Sequence, residues 1–109
     1  MTNAEFLREI RTHTGIKVGD NEEIDLPDDR PATESFADFV SFLFNKEYLS
    51  KNDLPIKSGS TRFLLNTEPT HQNGDEMVRP IDISSGIYLE RNFNKDGIRR
   101  KIRYLCRTV

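Results

Sequence analysis

The chain has 109 residues, with 16 Lys and Arg against 18 Asp and Glu for a formal net charge of −2, which fits one domain with a modest core and polar loops and argues against a large enclosed cavity. No apolar run is long enough to cross a bilayer, and charges begin at Glu5, so neither a membrane span nor a signal peptide is expected. The single cysteine, Cys106, cannot form an internal disulfide, and a reducing, cytoplasmic setting is the expectation.

Thr2-Asn3-Ala4-Glu5 has the form of a capping box, with Thr2 as cap and Glu5 reaching back. Phe6, Leu7 and Ile10 give the helix that follows an apolar stripe, and Gly15 is placed to stop it. Residues Ile16 to Leu26 hold two short candidate strands around Gly19-Asp20-Asn21. Pro27-Asp28-Asp29-Arg30-Pro31 reads as a connector. The acidic run Glu22 to Asp29 is expected to be solvated loop, with an electrostatic mimic or a tether for a basic partner as the alternative. Residues 1–32 thus read as an N-terminal helix and acidic connector, and residues 33–109 as the core of a single domain.

From Thr33 to Leu49 the spacing predicts a helix capped by Thr33, with Glu34 and Asp38 toward its positive end. Phe36, Phe39, Val40, Leu43 and Phe44 share its inner face, and Phe42 lies off it, available to another element or a partner chain. Tyr48 and Leu49 extend the apolar surface before a loop, Ser50 to Ser60, broken by Pro55 and Gly59. Thr61 to Asn66 reads as a strand. The polar excursion Thr67 to Asp75 ends in Asn73-Gly74, a strong turn signal. Met77 to Ile83 is a second strand, and Pro80, lacking a donor, puts it at an edge or a bulge. Ser84-Ser85-Gly86 turns into a third strand, Ile87 to Arg91. The expectation is an α+β fold: a small three-stranded antiparallel sheet packed with helices.

In the last helix Ile98, Ile102, Leu105 and Cys106 recur at the spacing of a buried face, leaving Arg99, Arg100, Lys101, Arg103 and Arg107 to the flanks and the outside. Asn94 or Asp96 can cap its start, where the macrodipole favours an anion such as phosphate. Asn92 and Asn94 precede it at alternate positions, so in extended chain they point the same way. Charge follows the same division. Through Leu54 twelve acidic residues face six basic ones, a balance of −6, and from Pro55 onward the balance is +4. A polyanion would therefore meet the C-terminal half. The near-neutral total argues against strong non-specific DNA binding and leaves room for specific binding with a modest footprint.

Enzyme signatures are weak. Cys106 has no sequence-local catalytic partner and lies on the core face. His13 and His71, with Asp75 and Glu76, lack metal-ligand spacing, and His71 reads as an exposed loop residue. Ser84-Ser85-Gly86 lacks the strand–elbow–helix context of a hydrolase nucleophile. No catalytic residue, metal or cofactor is expected; an enzyme built from His71, Asp75 and Glu76 would require the fold to bring them together.

Ser35 to Cys106 resembles the C-terminal DNA-binding domain of the SeqA family of replication-sequestration proteins, which recognise hemimethylated GATC sites. The likeness runs in order through the Phe-rich helix Phe36 to Tyr48, Gly59-Ser60-Thr61-Arg62 (a Gly-Arg-Thr-Arg loop in the family), Asn73-Gly74, Pro80 and Tyr88. It ends at Asn92-Phe93-Asn94 with Gly97 and Arg99, which resembles the Asn-Thr-Asn-Thr-Gly-Arg loop that reads DNA there. Ser60 stands where the family has an arginine, Phe93 where it has a threonine, and Asp96 looks inserted. The residues before Ser35 have no counterpart, so the resemblance implies a monovalent domain or a different assembly mode. Taken with the basic face of the last helix, it leads to the expectation of a non-catalytic, sequence- or structure-selective domain for double-stranded DNA, with Thr61, Arg62, Asn92 and Asn94 at bases or adjacent backbone and Lys95, Arg99, Arg100 and Arg103 at phosphates. Carboxamide and guanidinium groups suit that work, because both make paired hydrogen bonds to base edges. The alternative is a protein-interaction module of a larger nucleic-acid-processing or defence system, contacting its partner through Glu22–Asp29 or Phe42.

Overall fold

In the computed structural model, which describes residues 4–109, the first helix is α1, Ala4–Thr14. The Thr2 end of the expected capping box lies outside the described residues. Phe6 and Ile10, one turn apart, are both buried. Gly15 ends the helix at a φ of +75°, its N–H donating to the Arg11 carbonyl at 2.9 Å, a left-handed conformation that a Cβ disfavours. Two short antiparallel strands follow as expected, β1 Lys17–Val18 and β2 Ile24–Asp25.

The central helix is α2, Ala32–Asn45, and it packs on α1. It starts before Thr33. Pro31 occupies the cap position at φ −59°, and its carbonyl accepts from the N–H groups of Glu34 and Ser35, leaving Thr33 inside the first turn. The helix also stops short of Leu49. Glu47 turns to a φ of +62°, and the N–H groups of Tyr48 and Leu49 both return to the Leu43 carbonyl. That reversal lays Tyr48 edge-on against Phe6, with ring centroids 4.8 Å apart. Phe42, off the main face, is buried between Tyr48 and the stacked ring of His13 in α1.

The main sheet has four strands, not three. β3 Ile56–Lys57, β4 Phe63–Asn66, β5 Pro80–Asp82 and β6 Tyr88–Glu90 pair antiparallel in the order β3-β4-β6-β5. The added strand, β3, lies inside the expected Ser50–Ser60 loop. It has two residues and an irregular register with β4, too short for any alternation to register in the sequence. Pro80 lies on the edge strand, where its missing N–H leaves no ladder bond unmade. β5 and β6 form a hairpin closed by Gly86, at φ +91°, whose N–H donates to the Asp82 carboxylate. The Thr67–Asp75 excursion leaves the sheet after β4 and turns at Gly74, φ +90°.

The chain closes with α3, Lys95–Thr108, which packs on α2. Ile98, Ile102, Leu105 and Cys106 are buried on the face expected of them. They complete a core with Phe36, Phe39, Val40 and Leu43 of α2 and Leu64, Leu65 and Leu89 of the sheet. No helix among the described residues is long and apolar enough to cross a membrane.

Candidate nucleic-acid interface

The turn between β6 and α3 is organised by a buried carboxylate. Glu90, 3% exposed, accepts from the backbone N–H groups of Val78 at 2.7 Å, Arg79 at 2.8 Å and Asn92 at 3.1 Å. Those donors replace the water that burial removes, without which a buried anion is strongly unfavourable. His71 packs against the same carboxylate. Its Nδ1 accepts from the Phe63 N–H at 2.9 Å, which places the proton of the neutral ring on Nε2. Nε2 lies 3.4 Å from Glu90 Oε2, a close polar contact that falls short of an aligned hydrogen bond. His71 is 3% exposed, so the expectation of an exposed loop residue is corrected: its ring joins β4, the 67–79 loop and β6. A polar loop sequence gives no sign that one imidazole serves a strand N–H on one side and a carboxylate on the other.

From that anchor the chain runs Arg91 to Lys95. The Phe93 N–H donates to the Arg91 carbonyl at 2.8 Å, tightening the turn, and the Phe93 ring meets Phe36 of α2 edge-on at 6.4 Å. Asn92 and Lys95 are exposed. Asn94 is exposed as well and caps α3, its Oδ1 accepting from the Gly97 N–H at 2.7 Å, so its amide nitrogen is the part left for a ligand. A glycine suits position 97, since a Cβ there would come within 3.1 Å of Phe93 Cβ and 3.2 Å of Asn94 Oδ1.

Lys101 links this turn to the loop before β4. Its ammonium sits 5.3 Å above the centre of the Phe93 ring and donates to the Ser58 carbonyl at 3.2 Å. Burial holds the Lys101 ammonium below its ordinary pKa range, and Arg100 adds to the effect. The Ser58 N–H donates to the Arg62 carbonyl at 2.9 Å and the Gln72 N–H to the Thr61 carbonyl at 3.3 Å, closing the loop that carries Thr61 and Arg62. Lys101 thus ties the loop bearing Thr61 and Arg62, through Ser58, to Phe93 of the Asn92–Lys95 turn.

The other flank of α3 is different. Arg99 pairs with Asp96 at 2.7 Å, and Arg103 Nε donates to the Glu22 carbonyl at 2.9 Å. Arg107 pairs with the Glu22 carboxylate at 2.7 Å; that hydrogen bond holds the Glu22 carboxyl below its ordinary range and raises Arg107. Arg99, Arg103 and Arg107 form a row at four-residue spacing, turned in part toward the β1–β2 hairpin. Among the expected phosphate contacts, Lys95 and Arg100 are exposed and have no carboxylate within 4.0 Å among the described residues.

Two further cations belong to this region and are absent from the sequence-based set. Arg79 and Arg91 flank the Pro80–Glu90 pair at the open end of the hairpin, with the Arg91 N–H donating to the Arg79 carbonyl at 3.1 Å. With Thr33 in the first turn of α2 they line a cavity of about 170 Å³. The signal available in the sequence was the hairpin register around Ser84-Ser85-Gly86, which sets positions 79 and 91 opposite one another.

Cys106 is 2% exposed, and burial pushes its thiol up to about 11. It is therefore expected to resist thiol-specific reagents at neutral pH and to react fully once the chain is unfolded in urea. The folded pKa lies above the ordinary value, so the thiol contributes stability below about pH 9 that is lost as pH rises toward about 11. Stability curves of the parent and Cys106→Ala should converge over that interval. Among the described residues no group of three or more His, Cys, Asp and Glu converges as a metal site; His13 stacks on Phe42 and His71 sits against Glu90. Comparison with protein-family models, curated proteins and solved structures gave no significant match.

Proposed function

We propose that the chain is a non-catalytic double-stranded DNA-binding domain that presents the β6–α3 turn to the duplex. The observation that carries this reading is the exposure of Asn92 and Lys95 at the electropositive start of α3, which Lys101 ties to the loop bearing Thr61 and Arg62. Carboxamides there are suited to base edges, while Arg62, Lys95 and Arg100 supply phosphate contacts. A selective reader of the SeqA type, using Asn92 with the free amide of Asn94, is the finer form of the proposal. Glu22, of the acidic half, engages Arg103 and Arg107, so those two cations are left out of the phosphate contacts.

The test is fluorescence anisotropy with a random duplex pool and with selected sequences at several salt concentrations. Asn92→Ala is expected to cost about 1–3 kcal/mol on a preferred sequence if its contact is bidentate, and little on others. Arg100→Ala should weaken all duplexes and flatten the salt slope by about one counterion. Arg103→Ala should change affinity less than Arg100→Ala, because Arg103 is already held by Glu22. Absence of salt-sensitive binding to any duplex at low ionic strength sinks the reading, and selective capture of a basic protein through Glu22–Asp29 would favour the interaction module instead.

A further inference from the structure

We infer that the cavity between the first turn of α2 and the open end of the β5–β6 hairpin is an anion site that takes one phosphate group. Thr33, Arg79 and Arg91 line it. Neither guanidinium group has a carboxylate oxygen within 4.0 Å among the described residues. The Arg91 Nε is buried and has no hydrogen-bond partner. A buried charged donor without an acceptor is a strongly unfavourable arrangement, which an oxyanion in the cavity would relieve.

The surroundings supply what the anion needs and offer nothing that competes with it. The N–H groups of Glu34 and Ser35 return to the Pro31 carbonyl, and Pro31 brings no side-chain cap to α2, so the N–H groups of Ala32 and Thr33 are the ones left at its electropositive start. The nearby negative charges are already engaged. Glu90 is turned onto the N–H groups of Val78, Arg79 and Asn92, and Glu34 and Asp38 both pair with Arg30. The Glu90 carboxylate also holds the backbone N–H groups of Arg79 and Asn92, at the hairpin end that carries both arginines. Two such forks match the paired oxygens of a tetrahedral oxyanion better than two ammonium groups would. The inference goes beyond the duplex reading and does not require it: a duplex backbone and a free phosphomonoester present the same chemistry.

The experiment is a titration of the ¹⁵N-labelled 109-residue chain with inorganic phosphate, against chloride at matched ionic strength. Saturable shifts specific to phosphate are expected, confined to the amides of Ala32, Thr33, Arg79, Arg91 and their neighbours. Arg79→Gln should weaken the apparent affinity about tenfold or more, as loss of a charge-assisted pair would do. Arg79 is exposed, so its thermal unfolding should match the parent. Arg91→Lys keeps the charge but loses the fork, and should also weaken binding. A duplex oligonucleotide and a nucleoside monophosphate are then added in separate arms. Displacement of phosphate by the duplex identifies a backbone phosphate as the source. Displacement by the monophosphate alone identifies a free phosphomonoester, leaving the cavity assigned while the duplex reading stands or falls on its own assay. Shifts that are uniform and unsaturable, or identical in Arg79→Gln, would overturn the anion site even if the chain binds DNA.

Discussion

Glu90→Ala is expected to destabilise the protein by about 3 kcal/mol or more, the range for a substitution that breaks a buried hydrogen-bond network. The substitution strands three backbone donors, those of Val78, Arg79 and Asn92, and removes the carboxylate facing His71 Nε2. Each stranded donor alone is worth about 1–3 kcal/mol, but the 67–79 loop can relax and admit water, so the losses do not simply add. Glu90→Gln should recover part of the stability, because one oxygen still accepts while its amide N–H groups meet other donors. Urea unfolding of both, with exposed Glu76→Ala as a control expected within about 0.5 kcal/mol of the parent, gives the comparison. A Glu90→Ala midpoint equal to that control would mean the carboxylate does not hold the turn. The functional consequence follows from the same bonds. Arg79, Arg91 and Asn92 take their positions from Glu90, so phosphate and duplex binding should both weaken in the folded fraction of the variant.

Helix faces were the most legible part of the chain, because four or five large apolar residues at helical spacing have one way to be buried together. Phe36, Phe39, Val40 and Leu43, and separately Ile98, Ile102, Leu105 and Cys106, lie where that spacing puts them. Pro80 marked an edge for an equally local reason. Glu90 illustrates what was not legible. Alternation from buried Leu89 turns position 90 to the opposite face, which would be exposed if the sheet had water there, yet both residues are buried. The 67–79 loop covers that second face and supplies the donors, a fact about chain separated from Glu90 by more than ten residues. The basic face of α3 was legible as composition and spacing. Which of its cations remain free was decided 85 residues away, where Glu22 adopts a φ of 61° and offers its carbonyl and its carboxylate to Arg103 and Arg107. Cavity residues Arg79 and Arg91 fell between these cases: their adjacency needed only the hairpin register, while the absence of a carboxylate at either guanidinium group needed the fold.

Phe36→Ala should be costly to stability in a way that Phe93→Ala is not, and the two together separate packing from recognition. Phe36 is fully buried in the core, and truncating such a ring costs about 3–5 kcal/mol through lost transfer energy and the cavity left behind. Phe93 is only partly buried, so its truncation should cost less, about 1–2 kcal/mol. Its position is nevertheless the more consequential for binding. One edge of the ring meets Phe36, and the ammonium of Lys101, which holds Ser58 and with it the Thr61–Arg62 loop, lies over its face. Removing the ring frees Lys101 from its seat and uncouples the two segments expected to meet a duplex. Phe93→Ala should therefore lose duplex affinity out of proportion to its stability. Phe36→Ala, assayed where it remains folded, should show the reverse. Amide shifts of Ser58, Arg62 and Lys101 report the coupling directly. Phe93→Ala spectra unchanged at those three positions would mean that the two segments are held in place independently, and the proposed interface would then lose the contact that joins its halves.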